Sequence, residues 1–170
     1  MDSANVTQNL WGERWTKLTA NTITHGLLGA TGLDNRCVYL ERGMAHRIGV
    51  KLAAEAIAVG RAQGYELGTI LGIKPDDWLG ADRSDAAAVK AVQDGLTGWM
   101  ATLLEPSQSS VGRDVARGRR SEIDFTNGLV AEKGAEVGVP APTHAAVTSL
   151  VRRIDRGELK QDPAHMASII

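Results

Sequence analysis

Apolar residues recur every three or four positions along almost the whole chain, and short β-branched or aromatic runs bounded by turns are missing. A chain patterned this way cannot alternate its faces as a sheet must, so the spacing predicts an all-α helical bundle. A first helix is expected from about Thr7 to Leu28, ended by glycines and the Asp34-Asn35 turn around Gly32. A second, alanine-rich and suited to close packing mid-bundle, should run from near Arg42 to Gln63 and stop at Gly64. Tyr65 to Arg83, with Lys74-Pro75 and several glycines, reads as a loop with one short helical turn at Pro75. Ser84 is then expected to cap a helix with Asp85 in its first turn, and Val89, Val92, Leu96, Trp99 or Met100, and Leu103 form its apolar stripe up to Pro106. Helices over Ser107 to Arg117, Ser121 to Val137 and Pro142 to Arg156 should follow, with a loosely held tail from Gly157 and an ordered core over about residues 7–156.

The 170 residues at 18.1 kDa fit a single domain, and 43% hydrophobic with 23% charged residues supply a core and exclude a disordered tail. A net charge of -1 and a pI near 6.4 give no broad reason to seek nucleic acid or an anionic membrane. The most apolar segment, Lys51 to Gly60, is interrupted by Glu55 and falls short of the roughly 20 residues a bilayer span needs. Met1 to Glu13 has no signal-peptide pattern, so a cytoplasmic protein is expected. Cys37 is the only cysteine, and His25, His46, His144 and His165 are not at metal-ligand spacing, so neither a disulfide nor a metal site is expected.

Nineteen glycines invite a nucleotide-binding reading, but Gly26-Leu-Leu-Gly29-Ala-Thr-Gly32 has the wrong spacing and ends a helix instead of opening one. No Gly-Lys-Ser/Thr phosphate loop exists. On the first helix Trp11, Trp15 and Leu18 fall on one side, Ala20, Ile23 and Leu27 on another, and Lys17, Asn21 and Thr24 line up in a polar stripe with His25 at its edge. Two readings stay open: a face that meets water, or a partly buried lysine suited to donating a proton, since withdrawal from water favours its neutral form. Arg119-Arg120-Ser121-Glu122-Ile123-Asp124 places a capping serine before a helix, with Asp124 as a shortened capping box. Glu122 then sits in the first turn, on a face shared with Phe125 and Leu129, either as a helix-start acid paired with Arg119 or Arg120 or as a functional carboxylate. Arg113, Arg117, Arg119 and Arg120 read as a solvated face in preference to a phosphate or RNA contact.

Trp15-Thr-Lys17-Leu18-Thr-Ala-Asn21 resembles the W-x-K-L-x-x-N helix of ketopantoate reductases, and Arg120-Ser121-Glu122-Ile123-Asp124-Phe-Thr-Asn127-Gly128 resembles their R-[ST]-E-I-D-x-x-N-G helix. Gly138-Val139-Pro140-Ala-Pro142 is similar to the G-[IV]-x-x-P turn that follows. The resemblance covers nearly the whole chain, in order. It implies a helical C-terminal domain similar to that of 6-phosphogluconate dehydrogenase, which in the family works with an N-terminal Rossmann domain holding NADPH, in pantothenate biosynthesis. It further implies Lys17 as general acid to the substrate carbonyl, Glu122 accepting from the substrate hydroxyl, Asn21 orienting substrate and Ser110 meeting its carboxylate. His25 stands where many members have a second asparagine at the substrate, and Ser107 where another amide is common.

The leading expectation is therefore the substrate-binding and catalytic half of an NADPH-dependent 2-keto acid reductase, inactive without a separate or missing Rossmann domain or subunit. No cofactor is expected on the isolated chain. The alternative is a helical interaction or homodimerisation module of reductase ancestry without catalysis.

Overall fold

The computed structural model describes residues 7–103 and 105–170. Its helices are α1 (Leu10–Thr22), α2 (His25–Thr31), α3 (Arg36–Tyr39), α4 (Met44–Ala62), α5 (Pro75–Asp82), α6 (Ala86–Ala101), α7 (Ser110–Ala116), α8 (Asn127–Glu136) and α9 (Pro142–Asp155), with 3-10 turns at Ile123–Phe125 and Pro163–Ser168. Among the described residues there is no strand, only an isolated bridge between Ile70 and Ile73. The fold is all-α, as the apolar spacing requires. No described helix is long and apolar enough to cross a membrane.

Helix α4 is the axis, packed by α1, α3, α5, α8 and α9. Its small residues permit this: a Cβ at Gly49 would lie 2.6 Å from Val38 Cγ1, and one at Gly60 2.4 Å from the Trp15 ring. Glu55, the acid that interrupts the apolar segment, accepts from the backbone N–H of Thr143 (3.1 Å) and His144 (3.2 Å) and from Thr143 Oγ1 (2.5 Å). It thereby occupies the donors that α9 leaves unpaired at its start.

Several boundaries differ from the sequence expectation. The first helix breaks at Ile23 and Thr24, and the carbonyl of Thr22 accepts from Asn127 Nδ2 at 3.0 Å. Pro75 opens a two-turn helix, held by the fully buried Trp78. Ser84 is not the cap of α6: it sits at φ +63° directly after α5, and Asp85 caps, accepting from Ala88 N at 2.9 Å. The segment from Ser121 divides at Thr126 into a 3-10 turn and α8. Ser121 does not cap; its hydroxyl donates to Asp155 Oδ2 at 2.8 Å, while Asp124 pairs with Arg152 and Arg120. The tail is docked: Gln161 Nε2 donates to Gly29 O, Asp162 N donates to Ala30 O, and Ile169 is buried.

Candidate active site

The break between α1 and α2 determines where the site forms. Lys17 and Asn21 lie on the last turns of α1, and His25 is the first residue of α2. Helix α7 docks on α2, with Val111 filling the space a Cβ would take at Gly29 (2.6 Å). Its capping Ser109 accepts from Gly112 N at 3.0 Å and donates to His25 O at 3.1 Å, which brings Ser110 against the His25 ring. Ser110 Oγ donates to Glu122 Oε1 at 2.6 Å and lies 3.3 Å from His25 Nδ1. With the serine proton given to the carboxylate, His25 Nδ1 must be the donor to Ser110 Oγ, leaving Nε2 as an acceptor. Burial pushes the His25 pKa down; the Glu122 carboxylate, 3.9 Å away, opposes that and Arg113 adds to it.

These groups open onto a cleft of about 730 Å³ lined by Lys17, Asn21, His25, Ser110 and Arg113, with Leu71, Trp99 and Leu103 as an apolar wall. Arg113 is anchored by donating to Gln108 O at 2.9 Å. Asn35 and Ser107 border the same cleft and exchange hydrogen bonds (Ser107 N to Asn35 Oδ1, 3.1 Å; Asn35 N to Ser107 O, 3.2 Å). Lys17, Asn21, His25 and Ser110 therefore share one cavity, and Glu122 adjoins it through Ser110.

Side-chain burial on these elements is more specific than the sequence expectation. Of the two readings left open for Lys17, the exposed side chain agrees with a face that meets water. Thr24 is buried yet lines the same cleft as Lys17 and Asn21, so the polar stripe holds together at the cavity. Trp11 is 61% exposed with Arg14 over its ring, while Trp15 on the same side is buried and donates from Nε1 to Ala56 O. Glu122 is exposed and so is Phe125 at 76%, so the apolar face around the carboxylate is open surface.

Two residues essential to this geometry were not singled out in the sequence. Asn127 and His144 are completely buried: His144 Nε2 donates to Leu52 O at 2.9 Å, and its Nδ1 accepts from Asn127 Nδ2 at 3.2 Å. Through Asn127 they hold Thr22 O at the α1/α2 break. Burial drives the His144 pKa down to about 4. The Asn-Gly pair of the second motif was the available signal, because Asn127 reaches the break and Gly128 passes close to Ile123 O (3.2 Å from a built Cβ).

The Gly26 to Gly32 stretch does not fit the phosphates of a dinucleotide. The glycines available to cradle a phosphate are spent on helix packing, with a Cβ at Gly26 only 2.3 Å from Val147 Cγ1 and one at Gly29 against Val111. No group of three metal-ligating side chains occurs among the described residues.

Residues 9–155 match the family described as Ketopantoate reductase PanE/ApbA C terminal. The chain is 30% identical over 152 residues to the 2-dehydropantoate 2-reductase of Caulobacter vibrioides, covering 86% of this chain and 42% of that protein. It is 27% identical over 139 residues to the 2-dehydropantoate 2-reductase of Pyrobaculum aerophilum, covering 82% and 42%. Among solved structures, a PanE/ApbA family ketopantoate reductase from Ralstonia eutropha JMP134 superposes with a TM-score of 0.63 at 28% identity, over 89% of this chain and 43% of that one. D-mandelate dehydrogenase, solved with NADH and anilino(oxo)acetate, shares the fold with a TM-score of 0.68 at 18% identity, over 91% and 44%. The chain thus spans about two fifths of the length of the relatives it matches. With its helical order, its motifs and this match in agreement, the chain belongs to the PanE/ApbA ketopantoate reductase C-terminal domain family.

Proposed function

We propose that this domain is the substrate side of an NADPH-dependent 2-keto acid reductase, assembled with a Rossmann domain on a longer parent chain or a separate subunit. The observation that carries the reading is the single cleft joining Lys17, Asn21, His25 and Ser110, with Glu122 hydrogen-bonded behind Ser110. A dihydronicotinamide held by the other half would supply hydride to the carbonyl carbon. Lys17 gives its Nζ proton to the carbonyl oxygen, a role generally worth about 10² to 10⁴ in rate. Ser110 and the Arg113 guanidinium receive the substrate carboxylate, Asn21 donates an amide N–H to fix the carbonyl direction, and His25 takes the amide position beside it. Glu122 accepts the substrate hydroxyl once Ser110 turns away from it.

The test is steady-state reduction of ketopantoate and related 2-keto acids by the enzyme assembled with its Rossmann half. Lys17→Ala should lower kcat by about 10² or more, with KM within a few-fold and the melting temperature unchanged, since Lys17 is exposed. Unchanged kcat in Lys17→Ala and Glu122→Gln would overturn the assignment. The isolated chain should not bind NADPH tightly, and a micromolar complex would refute a separate cofactor half.

A second reading, a non-catalytic dimerisation module, is favoured by the exposure of Trp11 and Phe125. Sedimentation of the isolated chain decides it: a monomer at high concentration rules out self-association.

A further inference from the structure

Away from the cleft, a hollow of about 420 Å³ lies between the first half of α4 and the α5–α6 corner. Its floor is apolar (Val50, Val89, Val92) and its rim is basic (Arg42, Arg47, Lys51). Arg42 is committed to Tyr39 O, Gln93 O and Thr97 Oγ1, and Lys51 stands 3.6 Å from Asp82, the acid of the rim. Arg47 has no carboxylate partner among the described residues, and Ile170 of the docked tail borders the same hollow.

His46 lines the hollow at only 7% exposure. Its Nδ1 lies 2.8 Å from Val38 O, an acceptor, so Nδ1 carries the proton and Nε2 presents a lone pair that no described protein group takes. That nitrogen is not sealed from solvent: it opens onto the hollow, where water or a ligand hydroxyl supplies its donor. Ser84, on the same rim, sits at φ +63° immediately after α5, where glycine is the unstrained choice. Strain retained at a cavity rim marks a place where the side chain itself has a use.

We propose that this hollow is a second ligand site, for a small aliphatic hydroxycarboxylate. Its carboxylate meets Arg47 and Lys51, its hydroxyl donates to His46 Nε2 with Ser84 Oγ beside it, and its aliphatic body rests on Val50, Val89 and Val92. The three features are complementary to three groups of one molecule: charge without a partner, an acceptor without a donor, and an apolar floor. Inorganic phosphate lacks the body, a simple carboxylate lacks the hydroxyl, and an alcohol lacks the charge.

The experiment titrates the 170-residue chain with 2-hydroxyisovalerate and follows the imidazole signals of all four histidines by NMR. Isovalerate, isobutanol and inorganic phosphate are run in parallel. Saturable shifts at His46, several-fold weaker binding of isovalerate and none of isobutanol or phosphate are expected. Arg47→Glu, a change at an exposed side chain, should weaken binding tenfold or more. Ser84→Gly should raise the melting temperature yet weaken binding a few-fold, an outcome a purely structural Ser84 would not give. Shifts confined to His25 would show that the compound uses only the cleft and overturn the proposal. So would undiminished affinity in Arg47→Glu, or phosphate binding as well as the hydroxy acid.

Discussion

Replacing His144 by glutamine separates an acid-labile core from the rest of the molecule. His144 is completely buried, and burial lowers its pKa from 6.5 to about 4. The unfolded chain therefore takes up this proton first, so its stabilising contribution is complete above pH 6.5 and is lost as pH falls towards 4. With those two values the loss is about 2 kcal/mol between pH 7.5 and 5, and about 3 kcal/mol by pH 4. In His144→Gln the side-chain amide would still donate an N–H towards Leu52 O and accept from Asn127, but it would not titrate. Urea unfolding of both proteins from pH 7.5 to 5 is the assay. His25 and His46, which burial also pushes down, act in the same direction, but both proteins carry them and they cancel. Glu55 acts oppositely: burial raises its pKa, so its contribution is complete below its unfolded value and shrinks as pH rises through the folded one. It too is common to both. Parallel pH profiles in wild type and variant would refute the argument, because the difference between them isolates the one imidazole.

Glu55→Ala should cost about 2 to 4 kcal/mol in urea unfolding, since two backbone N–H groups and the Thr143 hydroxyl lose their acceptor in the interior. Gly60→Ala should lower the melting temperature by several degrees despite alanine's better helix propensity. Its Cβ would stand 2.4 Å from a Trp15 ring that is pinned by its bond to Ala56 O, and overpacking costs about 1 to 3 kcal/mol. Gly26→Ala in the proposed assembly with a Rossmann half should lower activity as well as stability, because its Cβ meets Val147 Cγ1 at 2.3 Å and Asn127 Oδ1 at 2.7 Å next to the helix break; activity per folded molecule, from an active-site titration, is the measurement.

Helices α4 and α9 were legible in the sequence because each carries a continuous apolar stripe bounded by good stop signals, and their ends agree with expectation to within two residues. The α1/α2 break was not. The β-branched run Thr22-Ile23-Thr24 is a weak local signal for it, and the Thr22 carbonyl that it leaves open is taken by Asn127, 105 positions away. Helix α5 was underestimated because its order comes from burying one residue, Trp78, against the rest of the core. Ser84 and Asp85 were exchanged as cap because a serine in a left-handed conformation is the exception that pattern rules do not anticipate. At the cleft, the residue types came from the family motifs, whereas burial did not follow from the helical wheel: a wheel drawn through Ile23 and Thr24 assumes a helix that stops there.

That break has a functional reading. On an uninterrupted helix, Lys17, Asn21 and His25 recur every four residues and form one slowly drifting line of side chains. Ending α1 at Thr22 and restarting at His25 frees the direction of the second segment, and Ser109 fixes it by donating to His25 O. His25 thereby faces Ser110 and Glu122 while Lys17 and Asn21 line the same cavity. The cost is an unpaired carbonyl at Thr22, which Asn127 satisfies and His144 backs. The N-G motif therefore supports the cleft from inside the protein, and its conformational role explains why an uncharged, completely buried amide stands beside residues whose side chains line the cavity.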